Sequence, residues 1–316
     1  MDVKVVYLVG TTRCGSTLLG SLLDQVPGIV HVGELSRIWE EGLVHNYRCG
    51  CGTPLQECDF WSDVLGRAFG GRDPIDVQLL IDAAMQWGRT RHVVRLATAR
   101  GRERTVAGMA DYTDAVARVY RSIAEVSGDH IVLDSSKSPI LAWVLAERPD
   151  IDLRILHLTR DPRAVAFSWQ RVKFDPAKGA DMRRESTLKT SLGWLAWNGL
   201  AASIWERPEH RGRYLHVRYE DLTEDPRAVL DRILGWLGEP IQAEEVVGPD
   251  RRYDGRPAHT VAGNPMRFTN GQMKIAADTE WLDRGSRWDS LVVSGLTWPL
   301  LGKYRYPIFA SRRRRD

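Results

Sequence analysis

Residues 3–17 read VKVVYLVGTTRCGST, and they indicate both a fold and a ligand class. The apolar, mostly β-branched run at 3–9 predicts a buried strand that leads directly into Gly10. The leucines of STLLGSLLDQV at 16–26 have helical spacing, so a helix is expected after the loop. Gly10, Gly15 and Thr17 have the spacing of a P-loop, which needs this order of strand, glycine-rich loop and helix.

The strand–helix unit recurs along the chain. Each later strand is followed by an apolar helical segment, the last of which is closed by Gly238. Alternating strands and helices predict an α/β fold with a P-loop-type, doubly wound parallel sheet. The three later strands are predicted at 131–136, 153–159 and 214–219.

We expect one domain over residues 1–316, interrupted by a helical cap and cysteine loop at about 39–125. Two helices are predicted within this insertion, near 74–99 and 111–127. A basic tail at 311–316 contains four arginines and is expected to be solvated, with weak attraction to anionic lipid as the alternative.

Composition excludes several classes of protein. Apolar residues make up 43% of the 316 and charged residues 27%, which is typical of a globular protein. A net charge of +3 does not call for nucleic acid as a partner. No stretch approaches the ~18 apolar residues of a membrane span. The N-terminus runs straight into the glycine loop, so we expect no signal peptide and a cytoplasmic protein.

Three of the four cysteines are clustered, and His45 lies four residues before the first of them. Cys49, Cys51 and Cys58 with His45 provide the four groups that a zinc ion needs. The spacing lacks the paired CxxC of typical zinc motifs, which favours a disulfide or a packed loop. All three interpretations stay open from the sequence.

The loop predicts an anion site of a particular kind. A glycine-rich turn before a helix directs backbone N–H groups and the helix dipole at one anion. Ser16 stands where a nucleotide kinase has its phosphate-binding lysine, and Arg13 lies inside the loop. These residues favour a shorter anion chain than a triphosphate; an ordinary strand–helix turn is the alternative.

A second anion site is predicted in LTRDPRAVAFSW. Arg160 ends a predicted strand, and Ser168 lies two turns into the helix that follows. The carboxyl ends of parallel strands form the ligand crevice of a doubly wound sheet, so Arg160 is placed to meet an anion. A buried arginine paired with Asp161 is the alternative.

GTTRCGST followed by RDPRAVAFS resembles the sulfotransferases that use 3′-phosphoadenosine 5′-phosphosulfate (PAPS). The resemblance extends to VRYEDL at 217–222. PGIVHVGELSR at 27–37 is similar to the tyrosylprotein and bacterial branches, and HTVAGNPMRF at 259–268 is similar to a donor-binding loop of the bacterial branch. The resemblance implies that PAPS is the co-substrate. No metal is expected, because two cationic side chains and the helix dipoles supply the positive charge. Cys14 departs from the family, in which serine is common there.

The resemblance also implies which residues bind the donor. The loop is implied to bind the 5′-phosphosulfate. Arg160 and Ser168 are implied to bind the 3′-phosphate, with Asn264 and Arg267 completing that pocket. The implied loop residues are Thr12, Arg13, Cys14, Gly15, Ser16 and Thr17.

Catalytic roles are implied in the same way. Glu34 corresponds to the family's base, with His31 as a reserve candidate. Lys137 and Arg13 correspond to groups that stabilise the transition state. The alternatives are a capping role for Glu34 and a salt bridge from Lys137 to Asp134.

Two other functions stay open from the sequence. A P-loop kinase or NTPase could use Asp134 to bind magnesium, and a non-catalytic nucleotide-binding protein could keep the same crevice. The acceptor could be a small molecule, a glycan, a lipid head group or a peptide tyrosine. A run of arginines, expected to be a solvated helix face, would favour an acidic acceptor if it lined the crevice: Arg89, Arg91, Arg95, Arg100, Arg102 and Arg104. Oligomeric state is not readable from the sequence.

Overall fold

A computed structural model describes residues 3–72, 74–88, 95–96 and 98–308. The predicted α/β fold is confirmed: five parallel strands form one sheet in the order β2-β3-β1-β4-β7. These strands are β1 (Val3–Gly10), β2 (Ile29–His31), β3 (Ile131–Lys137), β4 (Ile151–Thr159) and β7 (Tyr214–Arg218). Two short pairs accompany them: β5 (Phe174–Asp175) with β6 (Ala180–Asp181), and β8 (Arg252–Gly255) with β9 (Gly271–Lys274).

Helices fill most of the remaining described chain. They are α1 (Ser16–Leu23), α2 (Asp59–Phe69), α3 (Val77–Trp87), α4 (Ala99–Gly108), α5 (Ala110–Ser127), α6 (Pro139–Ala146), α7 (Pro162–Gln170), α8 (Thr187–Trp205), α9 (Tyr219–Glu224), α10 (Pro226–Leu237), α11 (Glu280–Arg284) and α12 (Arg287–Lys303). The expected helices after β1, β3, β4 and β7 are present, and Gly238 ends α10 with φ +78°.

The residues form two compact units. The first comprises Met1–Val9, Thr17–Leu156 and Asp254–Gln272; the second comprises Gly10–Ser16, His157–Tyr253 and Met273–Asp316. In the first unit, β1 pairs with β3 in parallel, which places Lys137 opposite Val9, the residue before the glycine loop. In the second unit, an aromatic cluster buries α8 against α12, with Trp194, Leu301, Tyr304 and Tyr306 in its centre.

The structure contradicts one of the two helix predictions in the inserted segment and confirms the other. The helix expected at 74–99 is wrong, because α3 stops at Trp87 and a separate helix starts at Ala99. Gly88 ends α3 where a Cβ would lie 2.8 Å from the Ala84 carbonyl oxygen, and the Thr98 side chain caps α4. The helix expected at 111–127 is confirmed as α5, whereas α2 was not predicted.

Some of the predicted features fall outside the described residues. They include Arg89 and Arg91 of the arginine run and the basic tail at 311–316. Within the described part, Arg100, Arg102 and Arg104 are exposed on α4, as a solvated helix face requires. No helix in the described ranges is long and apolar enough to cross a membrane.

Candidate active site

The glycine loop after β1 is tightly constrained by its neighbours in the second unit. A Cβ on Gly10 would lie 2.4 Å from the Leu158 carbonyl oxygen, and one on Gly15 would lie 2.3 Å from the Tyr219 ring. Gly15 has φ +99°, a conformation that side chains rarely adopt. The Cys14 N–H donates to the Thr11 carbonyl oxygen (3.2 Å), and helix α1 begins at Ser16. The loop therefore has the turn geometry expected of an anion cradle before a helix.

The remaining loop side chains differ in their exposure. Cys14 is fully buried. Ser16 is buried and Thr12 is exposed. In the first unit, the Thr17 hydroxyl accepts a hydrogen bond from the Asn264 N–H (3.4 Å).

Arg13 has an unusual backbone conformation for a long side chain. Its φ is +71°, in the left-handed region, which costs about 1–3 kcal/mol for a residue other than glycine. The side chain is buried, lies 5.2 Å above the Trp169 ring and contacts the Met182 sulfur (3.3 Å). Strain of this kind persists where surrounding structure over-determines it, and it is typical of ligand sites.

Arg160 is held from several directions immediately after β4. Its Nη1 donates to the Arg13 carbonyl oxygen (3.2 Å), and its Nη2 pairs with Asp278 (3.2 Å). The guanidinium lies 4.4 Å over the Tyr219 ring. The Trp194 indole donates to the Arg160 carbonyl oxygen (2.9 Å), which fixes its backbone. Within the described chain, the buried Arg160 Nε has no hydrogen-bond partner, so a donor remains available to a ligand.

The alternative pairing of Arg160 with Asp161 is wrong. Arg163 takes that carboxylate instead, with its Nη2 2.6 Å and its Nε 2.9 Å from the two Asp161 oxygens. Asp161 also caps α7 by accepting from the Arg163 N–H. The second predicted anion residue, Ser168, is buried on α7.

Two further cations lie in the same unit and were missed by sequence reasoning. Arg171 pairs with Asp278, as Arg160 does, and also with Glu280. Burial lowers the pKa of Lys173, and the charges of Arg13 and Arg171 lower it further against the opposing effect of Asp278. Only the short spacing of Arg171 and Lys173 after Ser168 could have pointed to them. The resulting concentration of positive charge suits a polyanionic ligand.

A buried ion pair in the first unit joins the predicted base to the predicted lysine. Lys137 Nζ lies 2.7 Å from Glu34 Oε1 and 2.8 Å from the Ser135 carbonyl oxygen. Side-chain exposure is 6% for Lys137 and 18% for Glu34. Burial tends to raise the pKa of Glu34, but the charge and hydrogen bond of Lys137 hold it below its ordinary value. Glu34 is therefore an ionised carboxylate at neutral pH.

Lys137 resembles Arg13 in its backbone, with φ +71°. The alternative salt bridge from Lys137 to Asp134 is wrong, because Lys137 pairs with Glu34 and the Asp134 carboxylate accepts hydrogen bonds from other groups. It accepts from the Tyr120 hydroxyl (2.6 Å), and it also accepts from the backbone N–H groups of Leu35 and Ser136. An acid engaged in this way supports the Glu34 turn and is poorly suited to bind magnesium.

His31, the reserve base, occupies a packing position. Burial, followed by the charges of Lys137 and Arg267, lowers its pKa to about 3. Its Nε2 lies 3.3 Å from the Ser135 hydroxyl, and its ring closes on Gly20, where a Cβ would be 2.3 Å away. The imidazole is consequently neutral and confined.

The segment around Val261 fixes the Glu34 backbone. The Glu34 N–H donates to the Val261 carbonyl oxygen (2.8 Å), and the Val261 N–H donates to Val32 (2.8 Å). Close by in sequence, the Asn264 side chain caps the Met266 N–H, and Arg267 donates to the carbonyl oxygens of Thr260 and Arg48. These contacts tie the segment together within the first unit. The donor-binding role of Asn264 and Arg267 stays a prediction.

Comparisons with known proteins identify a family for this chain. The Sulfotransferase domain family matches residues 4–249. Human carbohydrate sulfotransferase 3 is 25% identical over 268 residues, which cover 75% of this chain and 54% of that protein. Human carbohydrate sulfotransferase 6 is 32% identical over 130 residues, 35% of this chain and 32% of that protein. The chain thus spans about half the length, or less, of these curated relatives.

A solved structure supports the fold. The sulfotransferase domain from the Synechococcus PCC 7002 olefin synthase aligns with a TM-score of 0.51 and 19% identity. The alignment covers 97% of this chain and 96% of that domain.

Proposed function

This chain belongs to the sulfotransferase domain family, and on that premise we propose that it transfers a sulfuryl group from PAPS to an acceptor hydroxyl or amine. The observation that carries the donor assignment is the arrangement of Arg13 and Arg160 around the glycine loop. The loop has no lysine, Arg160 contacts the Arg13 backbone, and a buried Arg160 nitrogen has no hydrogen-bond partner in the described chain. Two buried arginines at the loop, each able to bind an oxyanion, suit a ligand with more than one anionic group.

The donor roles follow from the chemistry of each group. The loop N–H groups and Arg13 would hold the 5′-phosphosulfate, because helix N-termini and arginine forks bind oxyanions. Arg160 would hold the 3′-phosphate together with Ser168. Asp278 bonds both Arg160 and Arg171, so it fixes these guanidinium groups before the ligand arrives.

Glu34 and Lys137 are assigned to the transfer step. The acceptor oxygen attacks sulfur in line, forming the new O–S bond while the bond from sulfur to the 5′-phosphate oxygen breaks. Glu34 takes the acceptor proton, which its ionised carboxylate can accept. Lys137 and Arg13 stabilise the charge on the sulfuryl oxygens and the leaving phosphate. The required positive charge is thus supplied by side chains of this chain.

We propose a carbohydrate hydroxyl as the first acceptor class to test, because the curated relatives are named as carbohydrate sulfotransferases. Other small molecules and lipid head groups belong to the same test. The cytoplasmic location expected from the sequence also stays a prediction.

The proposal is tested by incubating the purified protein with sulfur-labelled PAPS and a panel of mono- and oligosaccharides, phenols and lipid head groups. Label should appear in an acceptor with one equivalent of 3′-phosphoadenosine 5′-phosphate (PAP) released. Glu34→Gln should abolish most turnover, whereas the matched control Glu40→Gln changes an exposed carboxylate and should not. Phosphoryl transfer from ATP without PAPS turnover would refute the proposal in favour of a kinase.

A further inference from the structure

We propose that Cys49, Cys51, Cys58 and His259 form a structural zinc site. One ligand atom from each of these residues lies within 4.8 Å of all the others. The Cys51 and Cys58 sulfurs are 3.7 Å apart, and His259 Nδ1 lies 3.2 Å from the Cys58 sulfur and 3.9 Å from the Cys49 sulfur. All four residues belong to the first unit.

Three of these separations, from 3.2 to 3.9 Å, are close to those around a tetrahedral zinc ion. Zinc binds thiolate sulfur at about 2.3 Å and imidazole nitrogen at about 2.0–2.1 Å, so ligand atoms around a tetrahedral ion lie about 3.5–3.8 Å apart. Three sulfurs and one nitrogen make a Cys₃His set, which is typical of closed structural sites. Oxygen-preferring ions such as magnesium and calcium do not favour these ligands.

The backbone is shaped to bring the three cysteines together. The Cys49 N–H donates to the Thr53 carbonyl oxygen (2.8 Å), and the Gly52 N–H donates to the Cys49 carbonyl oxygen (2.9 Å). Gly52 adopts φ +98°, which closes this tight turn. The turn directs the Cys49 and Cys51 sulfurs to the same side as Cys58, at the start of α2.

A close approach of two segments delivers the histidine. The Gly50 N–H donates to the Thr260 carbonyl oxygen (3.0 Å), and a Cβ on Gly50 would lie 2.4 Å from the Ala258 carbonyl oxygen. His259 therefore lies beside the cysteine turn. Its ring stacks on Phe60 with centroids 4.6 Å apart and an angle of 12°, which fixes the ring plane with Nδ1 toward the sulfurs.

The fourth ligand corrects the sequence interpretation. His45, the candidate from the sequence, stacks on Tyr47 at 5.2 Å and is not part of the cluster. His259 lies about two hundred residues further along the chain, so local spacing could not reveal it. A disulfide between Cys51 and Cys58 would not explain why Cys49 and His259 also lie in the same cluster.

The site has a structural consequence for Glu34. His259 anchors the segment that continues to Val261, and Val261 accepts the Glu34 N–H. A metal ion at the cluster would therefore hold this segment in place and act on Glu34 as a positioning element. This consequence for activity depends on the proposed function, whereas the metal content of the protein does not.

The test measures zinc in the full chain after gel filtration by elemental mass spectrometry. About one zinc per chain is expected, as for a four-ligand structural site. Cys58→Ser and His259→Asn should lose the metal on gel filtration, whereas the matched controls Cys14→Ser and His45→Asn should keep it. Cobalt substitution gives a readout that does not depend on activity: thiolate-to-cobalt charge-transfer bands and intense visible bands of tetrahedral Co²⁺ are expected.

Two results would overturn the zinc site. One is a metal-free chain whose intact mass is two hydrogens lower, with thiols released only by reductant, which shows a disulfide. The other is a folded chain with four alkylatable thiols that binds no zinc when Zn²⁺ is added. A native chain that contains zinc but transfers no sulfuryl group would instead contradict the proposed function, and the metal site would still stand.

Discussion

Replacing Lys137 by alanine should separate catalysis from donor binding. Lys137 Nζ lies 2.7 Å from Glu34 and 2.8 Å from the Ser135 carbonyl oxygen, and the side chain is buried. Removing one preorganised group that stabilises transition-state charge typically costs about 2.7–4 kcal/mol, or roughly 10²–10³ in kcat. Lys137 is assigned to charge that develops on the sulfuryl group and the leaving oxygen during transfer, whereas the loop and Arg160 are assigned to the phosphates of PAP, so PAP affinity should fall much less than kcat.

The same substitution should change the pH dependence through Glu34. In the native protein Lys137 holds the pKa of Glu34 below its ordinary value despite burial. The stability from this ion pair is therefore present above the unfolded-state pKa and is lost as pH falls through the lower folded-state pKa. Without the lysine charge, burial dominates and the pKa of Glu34 rises. The acid limb of kcat/KM should then move to higher pH.

Glycine at position 137 provides a control for backbone strain. Because Lys137 has φ +71°, alanine retains the left-handed strain whereas glycine removes it. Lys137→Gly should therefore be about 1 kcal/mol more stable than Lys137→Ala in urea unfolding, with the same loss of kcat. Single-turnover transfer and PAP calorimetry measure the two functional quantities. Unchanged kcat, or a loss of PAP affinity equal to the loss of kcat, would refute the assigned role.

Three further predictions concern separate parts of the chain. Arg160→Ala should weaken PAP binding by about 1.5–3 kcal/mol while leaving AMP, which lacks the 3′-phosphate, nearly unaffected in calorimetry; equal losses for both ligands would contradict the 3′-phosphate assignment. Burial raises the pKa of Asp24 to about 6, so the folded state loses stability as pH rises from about 4 to 6. Asp24→Asn should be up to about 3 kcal/mol more stable than the native chain near pH 7.5, and the two should have equal stability near pH 4. The same stability difference between variant and native chain at both pH values would exclude this. Gly15→Ala should abolish PAP binding, because the added Cβ would lie 2.3 Å from the Tyr219 ring. The control Gly238→Ala has φ +78° and open space, so it should cost only about 1 kcal/mol of stability in urea unfolding. Retained PAP binding in Gly15→Ala would show that the loop is not the donor site.

Local sequence patterns predicted the parts of this fold that depend on neighbouring residues. The β1 run and the glycines of the loop specify a strand, a turn and a helix within about twenty residues. The strand–helix repeats and the Gly238 cap are equally local. In the site, Glu34 and Lys137 were named separately by motif, but only the folded chain shows their ion pair.

Features that depend on distant residues were not predictable. Asp161 is adjacent in sequence to Arg160 but is taken by Arg163, since that guanidinium also reaches the carbonyl oxygens of Pro307 and Ile308. Helix α3 ends at Gly88, where an added Cβ would lie 2.9 Å from the side chain of Leu141, a residue far along the chain. His259 reaches the cysteine turn from a remote segment, which spacing within 45–58 could not indicate.

The central claim is that the loop and Arg160 bind a nucleotide with a 3′-phosphate. The most direct measurement is calorimetric titration of the full chain with PAP, beside AMP, ADP and ATP, with and without magnesium. We predict tight, magnesium-independent binding of PAP and much weaker binding of the three nucleotides that lack a 3′-phosphate. Magnesium-dependent binding of ATP without preference for PAP would contradict the account and indicate a P-loop kinase or NTPase.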